Sequence, residues 1–145
     1  MASFAKLDDD NRVLNIEEVS DSDAATEAEG QTFLENIHGW AASKWKQFDY
    51  YTQNNQHKEG GTPFRGNAAT VGGYYQPSED VFMPEKPHAS WTLNTETAIW
   101  DPPVAYPTDT TYYISWDEAN QKWLGTDDSS NNYEWDPSTS SWTSV

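Results

Sequence analysis

The chain has 145 residues, no cysteine and a formal net charge of −16, a length for one domain or one domain with an appendage. The lack of cysteine excludes disulfides, thiolate metal sites and thiol nucleophiles, and the negative charge argues against nucleic acid, whose phosphates it would repel. Hydrophobic residues make up only 35% and mean hydropathy is −0.91, yet aromatics reach 14%; disordered chains are poor in aromatics, so this one is expected to fold around few, large side chains.

In chain order, Phe4–Leu7 and Arg12–Ile16 flank the turn cluster Asp8-Asp9-Asp10-Asn11, which predicts an N-terminal hairpin whose second strand runs to Val19. Asp8 and Asp10 resemble the start of a calcium loop, but the glycine and terminal glutamate that such a loop needs are missing, so a solvated turn is the better reading. Ser20 to Glu29 is an acidic loop leading into a helix, with Asp23 or Thr26 as its cap and Glu27 and Glu29 at the positive end of its dipole. Phe33, Leu34, Ile37 and Ala41 recur at helical spacing and are expected to face the sheet. Gly30 weakens the start of that helix, and Gly39 marks its end or a kink.

Trp45 to Thr52 is aromatic and β-prone, and reads as one strand. Gln53 to Ala69 is loop chemistry (Asn-Asn, Gly-Gly, Pro, Gly), followed by short strands at Val71–Tyr75 and Asp80–Met83 and an extended Pro84–Pro87. Lys44, Lys46, Lys58 and Arg65, half of the eight Lys and Arg, concentrate with His57 in the middle of the chain, and these five are candidate interface residues facing an acidic partner. Asp101 to Pro107 is a proline-rich, extended link that cannot donate to a ladder.

Six of the eight tryptophans lie between Ser90 and Trp142, in three apparent pairs: Trp91 with Trp100, Trp116 with Trp123, and Trp135 with Trp142. WDEANQKW and WDPSTSSW repeat one pattern, W-D, five residues, W, with turn-forming residues between the tryptophans. This is the signature of aromatic-ended hairpins. Trp91, Trp100, Trp116 and Trp123 are assigned to a structural core, since a chain poor in Leu, Ile and Val must bury its indoles. Tyr133, Trp135 and Trp142 follow the polar loop Thr126–Asn132. They are candidates either for that core or for a surface that binds a partner or stacks sugar rings. Residues 1–124 are therefore read as the domain and 125–145 as a duplicated hairpin or mobile appendage.

The three histidines, His38, His57 and His88, stand apart, with no metal-ligand spacing. No nucleophile elbow, phosphate loop or dinucleotide fingerprint occurs, and scattered carboxylates do not define an acid–base pair. No catalytic residue, metal site or cofactor is implied. No apolar run approaches the roughly 20 residues of a membrane span, and Met1–Asp10 lacks the basic flank and apolar core of a signal peptide.

Several segments together carry a resemblance: Phe4–Asp8, Phe33–Ile37, Arg65–Gly72, Phe82–Trp91 (FMPEKPHASW), Trp100–Pro107 (WDPPVAYP) and Trp116–Trp123. The chain from 1 to about 124 resembles a family of small proteins encoded by tailed marine bacteriophages, cyanophages especially. It departs from that pattern at Gly66, inserted between Arg65 and Asn67, and in the second W-D-x5-W unit. The resemblance implies a virion component without catalytic residues.

The expectation is a small α+β protein, mostly short antiparallel strands with one helix packed on a face. Its expected role is non-enzymatic: decoration of the outer capsid, bound to the major capsid protein or other virion proteins and to its own copies. It would be made in the host cytoplasm and carried on the virion, with no nucleic-acid or membrane partner. A neck or tail component, or a module binding host surface glycans, is the alternative.

Overall fold

The computed structural model describes residues 1–145. The fold is α+β: antiparallel strands in several small sheets with a single α-helix. The chain divides into two compact units, one of residues 1–85 with 94–99, the other of residues 86–93 with 100–145. The expected boundary at 124/125 falls inside a strand, Lys122–Thr126.

In the first unit β1 (Ala2–Leu7) is the middle of a three-stranded sheet, between β2 (Val13–Val19) and β3 (Trp45–Phe48). The turn from β1 to β2 is closed by Asp8, whose carboxylate accepts from the Asp10 and Arg12 amides. β1 is buried almost throughout, because alternate side chains of a strand point to opposite faces and both faces are covered. On one face Phe4 joins Ala2, Val19, Ala24, Leu34 and Trp45. On the other, Ala5 and Leu7 join Val13, Phe48, Ala69, Tyr75 and Phe82.

The helix α1 (Glu27–His38) starts in a reciprocal capping box: Thr26 Oγ1 accepts from the Glu29 amide and the Glu29 carboxylate accepts from the Thr26 amide. Such a box satisfies two donors that a helix start leaves free. Thr26 is thus the cap; Asp23 instead accepts from Ser20 Oγ. Gly39 ends the helix in the left-handed region at φ 65°. The expected apolar face is only partly realised. Leu34 is buried and Phe33 half-buried, but Ile37 is 59% exposed and Ala41 lies beyond the helix, before the 3₁₀ turn Ala42–Lys44. Gly30 is the reason the helix can sit so close: a Cβ there would come within 2.3 Å of Phe4 Cζ. The glycine that weakens the isolated helix admits the Phe4 ring in the folded chain.

The strand expected over Trp45–Thr52 stops at Phe48. Asp49 turns the chain by accepting from the Tyr51 amide and Thr52 Oγ1, and a two-residue-per-strand hairpin follows, β4 (Thr52–Gln53) with β5 (Gln56–His57). Asn54 and Asn55 provide its left-handed corner, a conformation that asparagine tolerates better than most residues.

Four later hairpins share one construction. β6 (Tyr74–Gln76) and β7 (Val81–Met83), β8 (Thr92–Asn94) and β9 (Ile99–Asp101), β10 (Tyr113–Asp117) and β11 (Lys122–Thr126), and β12 (Asn132–Asp136) and β13 (Ser141–Ser144) are each joined by four residues. In each the last loop residue is left-handed without being glycine: Asp80 at φ 52°, Ala98 at 51°, Gln121 at 50° and Ser140 at 49°. Asn94, Asp117 and Asp136, each the last residue of a first strand, accept loop amides through their side chains. Aromatic partners face one another across three of these hairpins, Tyr75 with Phe82, Trp116 with Trp123 and Trp135 with Trp142. Tyr75 and Phe82 escape a search made for tryptophan alone.

In the second unit β10 to β13 form one antiparallel sheet in sequence order. The last hairpin is therefore no loose appendage: β12 pairs with β11 through Leu124–Glu134, Gly125–Tyr133 and Thr126–Asn132. The loop expected to be flexible is held by Asp127, which accepts from the Ser129 and Asn131 amides, the Asn131 side chain and the Tyr133 hydroxyl.

The largest fully buried side chains are Trp45, Phe4 and Phe82, all in the first unit, so the Trp-rich half is not the main core. Trp45→Ala should cost about 3–5 kcal/mol, as buried aromatic truncations do, and urea melts should show a much smaller loss for Trp142→Ala. Gly30→Ala should lower the melting midpoint even though alanine is favoured in a helix by about 1 kcal/mol, and Phe4→Leu in the same chain should recover part of that loss.

Candidate functional site

The outer edge of β3 is sealed by side chains. Gln31 Nε2 donates to the Trp45 carbonyl at 2.6 Å, the Gln47 amide donates to Glu27 Oε1 at 3.0 Å, and Arg65 Nη1 donates to the Gln47 carbonyl at 2.8 Å. Arg65 and Glu27 are themselves bridged by two bonds, 2.6 Å from Nη1 and 3.1 Å from Nη2. A carboxylate accepting the strand's N–H and a guanidinium donating to its C=O reproduce what a neighbouring strand would offer. The planar fork of arginine makes this geometry possible, and lysine lacks it.

The Arg65 side chain is only 10% exposed, and its Nε bonds Asp80 at 2.8 Å. Asp80 also accepts from the Tyr75 hydroxyl. Burial pulls the Arg65 pKa down, but the Glu27 hydrogen bonds, with the charges of Glu27 and Asp80, outweigh it and hold the pKa above its ordinary value. Burial and the bond to Asp80 push the Tyr75 phenol up to about 12. For Asp80 burial acts upward, but the Tyr75 bond and Arg65 prevail and lower it. Just beyond Arg65, Gly66 at φ 74° would bring a Cβ to 2.1 Å from Val81 Cγ2. Asn67 then donates to the Phe82 and Ala98 carbonyls and accepts from the Asn54 amide. Arg65, Gly66 and Asn67 thus tie the irregular middle of this unit to its sheet.

The five positive residues expected to form one partner-facing patch do not act as one. Arg65 is spent on Glu27, Gln47 and Asp80. Lys44 lies 3.5 Å from Asp9 and bonds the Asp8 carbonyl. The Lys46 ammonium sits 5.5 Å from the Tyr75 ring centroid. His57 Nδ1 accepts from the Glu59 and Gly61 amides, its Nε2 is 3.4 Å from Asp49, and its ring stacks on Tyr51. Lys58 is exposed. Sequence proximity gathered these charges, but Arg65, Lys44, Lys46 and His57 each find a carboxylate or ring within the unit. No three His, Asp or Glu side chains converge as metal ligands.

In the second unit Trp116, Trp123, Tyr133, Trp135 and Trp142 share one face of the sheet. Trp123 and Trp135 are buried; Trp91, Trp100, Trp116, Tyr133 and Trp142 are half-buried. Trp91 does not face Trp100 but stands edge-on to Trp116 and Trp123, at 6.1 and 6.0 Å between centroids. Trp100 instead lies beneath the Lys86 ammonium. The face is covered by the chain itself: Trp123 Nε1 donates to the Val104 carbonyl and Tyr106 packs edge-on against that indole. Trp142 Nε1 donates to the Asp109 carbonyl and Trp116 Nε1 to Glu118. Tyr112 stacks on Tyr133 at 4.1 Å and meets Trp142 edge-on over Gly125, where a Cβ would lie about 3 Å from both. A flat glycine on the sheet is here shielded by aromatic neighbours. Of the tryptophans expected as a sugar platform or partner anchor, Trp135 is thus buried against Trp142, and Trp142 has its N–H engaged within the unit.

Glu118 gathers the Ser90 amide, Ser90 Oγ and Trp116 Nε1, with His88 Nδ1 at 4.0 Å. The bond from Trp116 leads in holding its carboxyl below the ordinary range. Sequence reading missed this cluster, as it missed Glu27, Gln31 and Asp80; nothing local marks residues that meet only in the folded chain. The Tyr133 phenol is pushed up to about 12, first by its bond to Asp127 and then by Tyr112. No helix is long and apolar enough to cross a membrane.

No protein-family model, curated protein or solved structure matches this chain.

Arg65→Lys should destabilise the first unit by at least one charged hydrogen bond, about 1.5–3 kcal/mol, and expose the β3 edge amides to faster hydrogen exchange. Tyr75 adds a pH signature. Its folded pKa of about 12 lies above the unfolded value of 10.0, so its stabilisation is complete below pH 10 and is lost as pH rises through about 12. A stability–pH profile of Tyr75→Phe should be flatter over that window than that of the native chain.

Proposed function

We propose that this chain is a non-enzymatic structural component of a tailed-bacteriophage virion, placed on the outer capsid surface and bound to the major capsid protein. The observation that carries a structural role over a glycan-binding one is the covered aromatic face. Sugar stacking needs open indole faces with polar groups beside them. Here Trp123 and Trp135 are buried, and the indole N–H groups of Trp116, Trp123 and Trp142 already donate within the unit.

Two further features support the reading. The segments that carry the phage resemblance include Arg65–Gly72, in which Arg65 closes the β3 edge and Asn67 orders the loop around it, a structural use of these residues. The charge of −16 keeps an abundant small protein soluble as a free subunit, and leaves adhesion to specific patches instead of general charge attraction.

Quantitative mass spectrometry of purified particles should give a copy number in the hundreds, scaling with capsid area. A small number matching the symmetry of a ring would move the protein to the neck or tail. Glycan arrays should show no signal; binding that Trp142→Ala abolishes would favour the glycan reading.

A further inference from the structure

We propose that β13 is an association edge, along which two copies of this chain pair their four-stranded sheets antiparallel about a two-fold axis. The inference is independent of the virion reading.

The other edges of the three- and four-stranded sheets are closed or charged. β3 is capped by Glu27, Gln31 and Arg65. The start of β2 exchanges bonds with Gly72 and Gly73, and the strand carries Glu17 and Glu18. β10 runs into Asp117 and Glu118. These are the devices by which proteins prevent edge pairing. β13 has none of them. No side chain from Pro137 to Val145 is charged, and the strand contains no proline and shows no register shift against β12.

The free groups of β13 follow from its register. Thr143 faces Glu134, Ser141 faces Asp136, and the Val145 amide donates to the Asn132 carbonyl. In an antiparallel ladder, alternate residues bond to opposite sides. Ser141, Thr143 and Val145 therefore bond inward, while Trp142 and Ser144 turn their N–H and C=O groups outward. An extended backbone supplies that alternation of acceptors and donors.

The occupant is argued from charge and self-complementarity. Two chains of charge −16 can approach only where they are locally neutral, and β13 is such a stretch. With the axis at Thr143, Trp142 of each copy lies opposite Ser144 of the other, giving four backbone hydrogen bonds. Thr143 then meets its counterpart, a favourable cross-strand pair. The exposed Ser141, Thr143 and Ser144 side chains present no bulk or charge to oppose it.

Sedimentation equilibrium of the full chain over a concentration series tests this. The expected result is a mass that doubles with concentration, with dimer affinity rising with salt as like-charge repulsion is screened. Thr143→Lys sets two ammonium groups against each other at the axis, and Ser144→Pro removes an outward N–H that the β12–β13 ladder does not use. Each should weaken dimerisation about tenfold or more, roughly 1.4 kcal/mol, with near-ultraviolet dichroism unchanged. Ser115→Lys on β10 should leave it intact. A wild-type chain that stays monomeric at all concentrations and salts, or Thr143→Lys dimers as tight as wild type, would overturn the proposal. So would affinity that falls with salt.

Discussion

The Arg65–Glu27 pair lying along the edge of β3 is the interaction on which the first unit depends. A three-stranded sheet with β1 at its centre has two edges, and the one at β3 must face either another strand or solvent. The chain supplies a surrogate from two remote places, a helix first turn and an irregular loop. A buried ion pair is weak evidence for net stability, because desolvating two charges offsets most of their attraction. Here the pair does more than attract, since it satisfies a strand N–H and C=O that would otherwise lie unpaired. It also ties three pieces of chain together. Glu27 brings α1, Arg65 brings the loop that continues through Gly66 and Asn67, and Asp80 brings the turn of the β6–β7 hairpin.

That arrangement explains why β1 can be buried on both faces in so polar a chain. α1 can rest on the Phe4–Trp45 face because Gly30 yields to the Phe4 ring, and Glu27 and Gln31 fix its position along β3. The β6–β7 hairpin covers the Ala5–Leu7 face through Tyr75 and Phe82, with Asn67 bonding the Phe82 carbonyl. Few apolar residues are needed when large aromatic rings are placed centrally and their backbone surroundings are pinned by charged hydrogen bonds.

The second unit solves the same shortage differently. It has no helix to lay on its sheet, so an irregular proline-containing segment carrying Val104, Tyr106 and Tyr112 covers the aromatic face. Cross-strand tryptophans form a layer, each hairpin adding one pair, and the indole N–H groups of Trp116, Trp123 and Trp142 find Glu118 or carbonyls of the covering segment. The Trp135–Trp142 pair occupies a non-hydrogen-bonded position of its ladder, where opposed side chains approach most closely, consistent with 5.1 Å between ring centroids.

Local rules made much of this fold legible in the sequence. The Asp8 turn, the Thr26 cap, the Gly39 stop and the W-D-x5-W hairpins each depend on residues within a few positions of one another, and each is present. Gly30 and Ile37 show where such reading stops: helical propensity and spacing say nothing of which ring will lie against the helix. The five clustered cations show the same at the candidate site. Near one another in sequence, they do not form one free patch: the tertiary structure gave Arg65 to Glu27 and Asp80, set Lys46 beside the same Tyr75 ring as Arg65, and left Lys58 exposed. The last hairpin has the look of an appendage because its loop is polar, but strand pairing is a non-local bond, and β12 found β11. Sequence by itself determined the local turns, caps and aromatic pairs, whose energies are set by neighbours along the chain. Only the tertiary structure decided which aromatic faces are covered and which charges are consumed, because those depend on contacts between residues tens of positions apart.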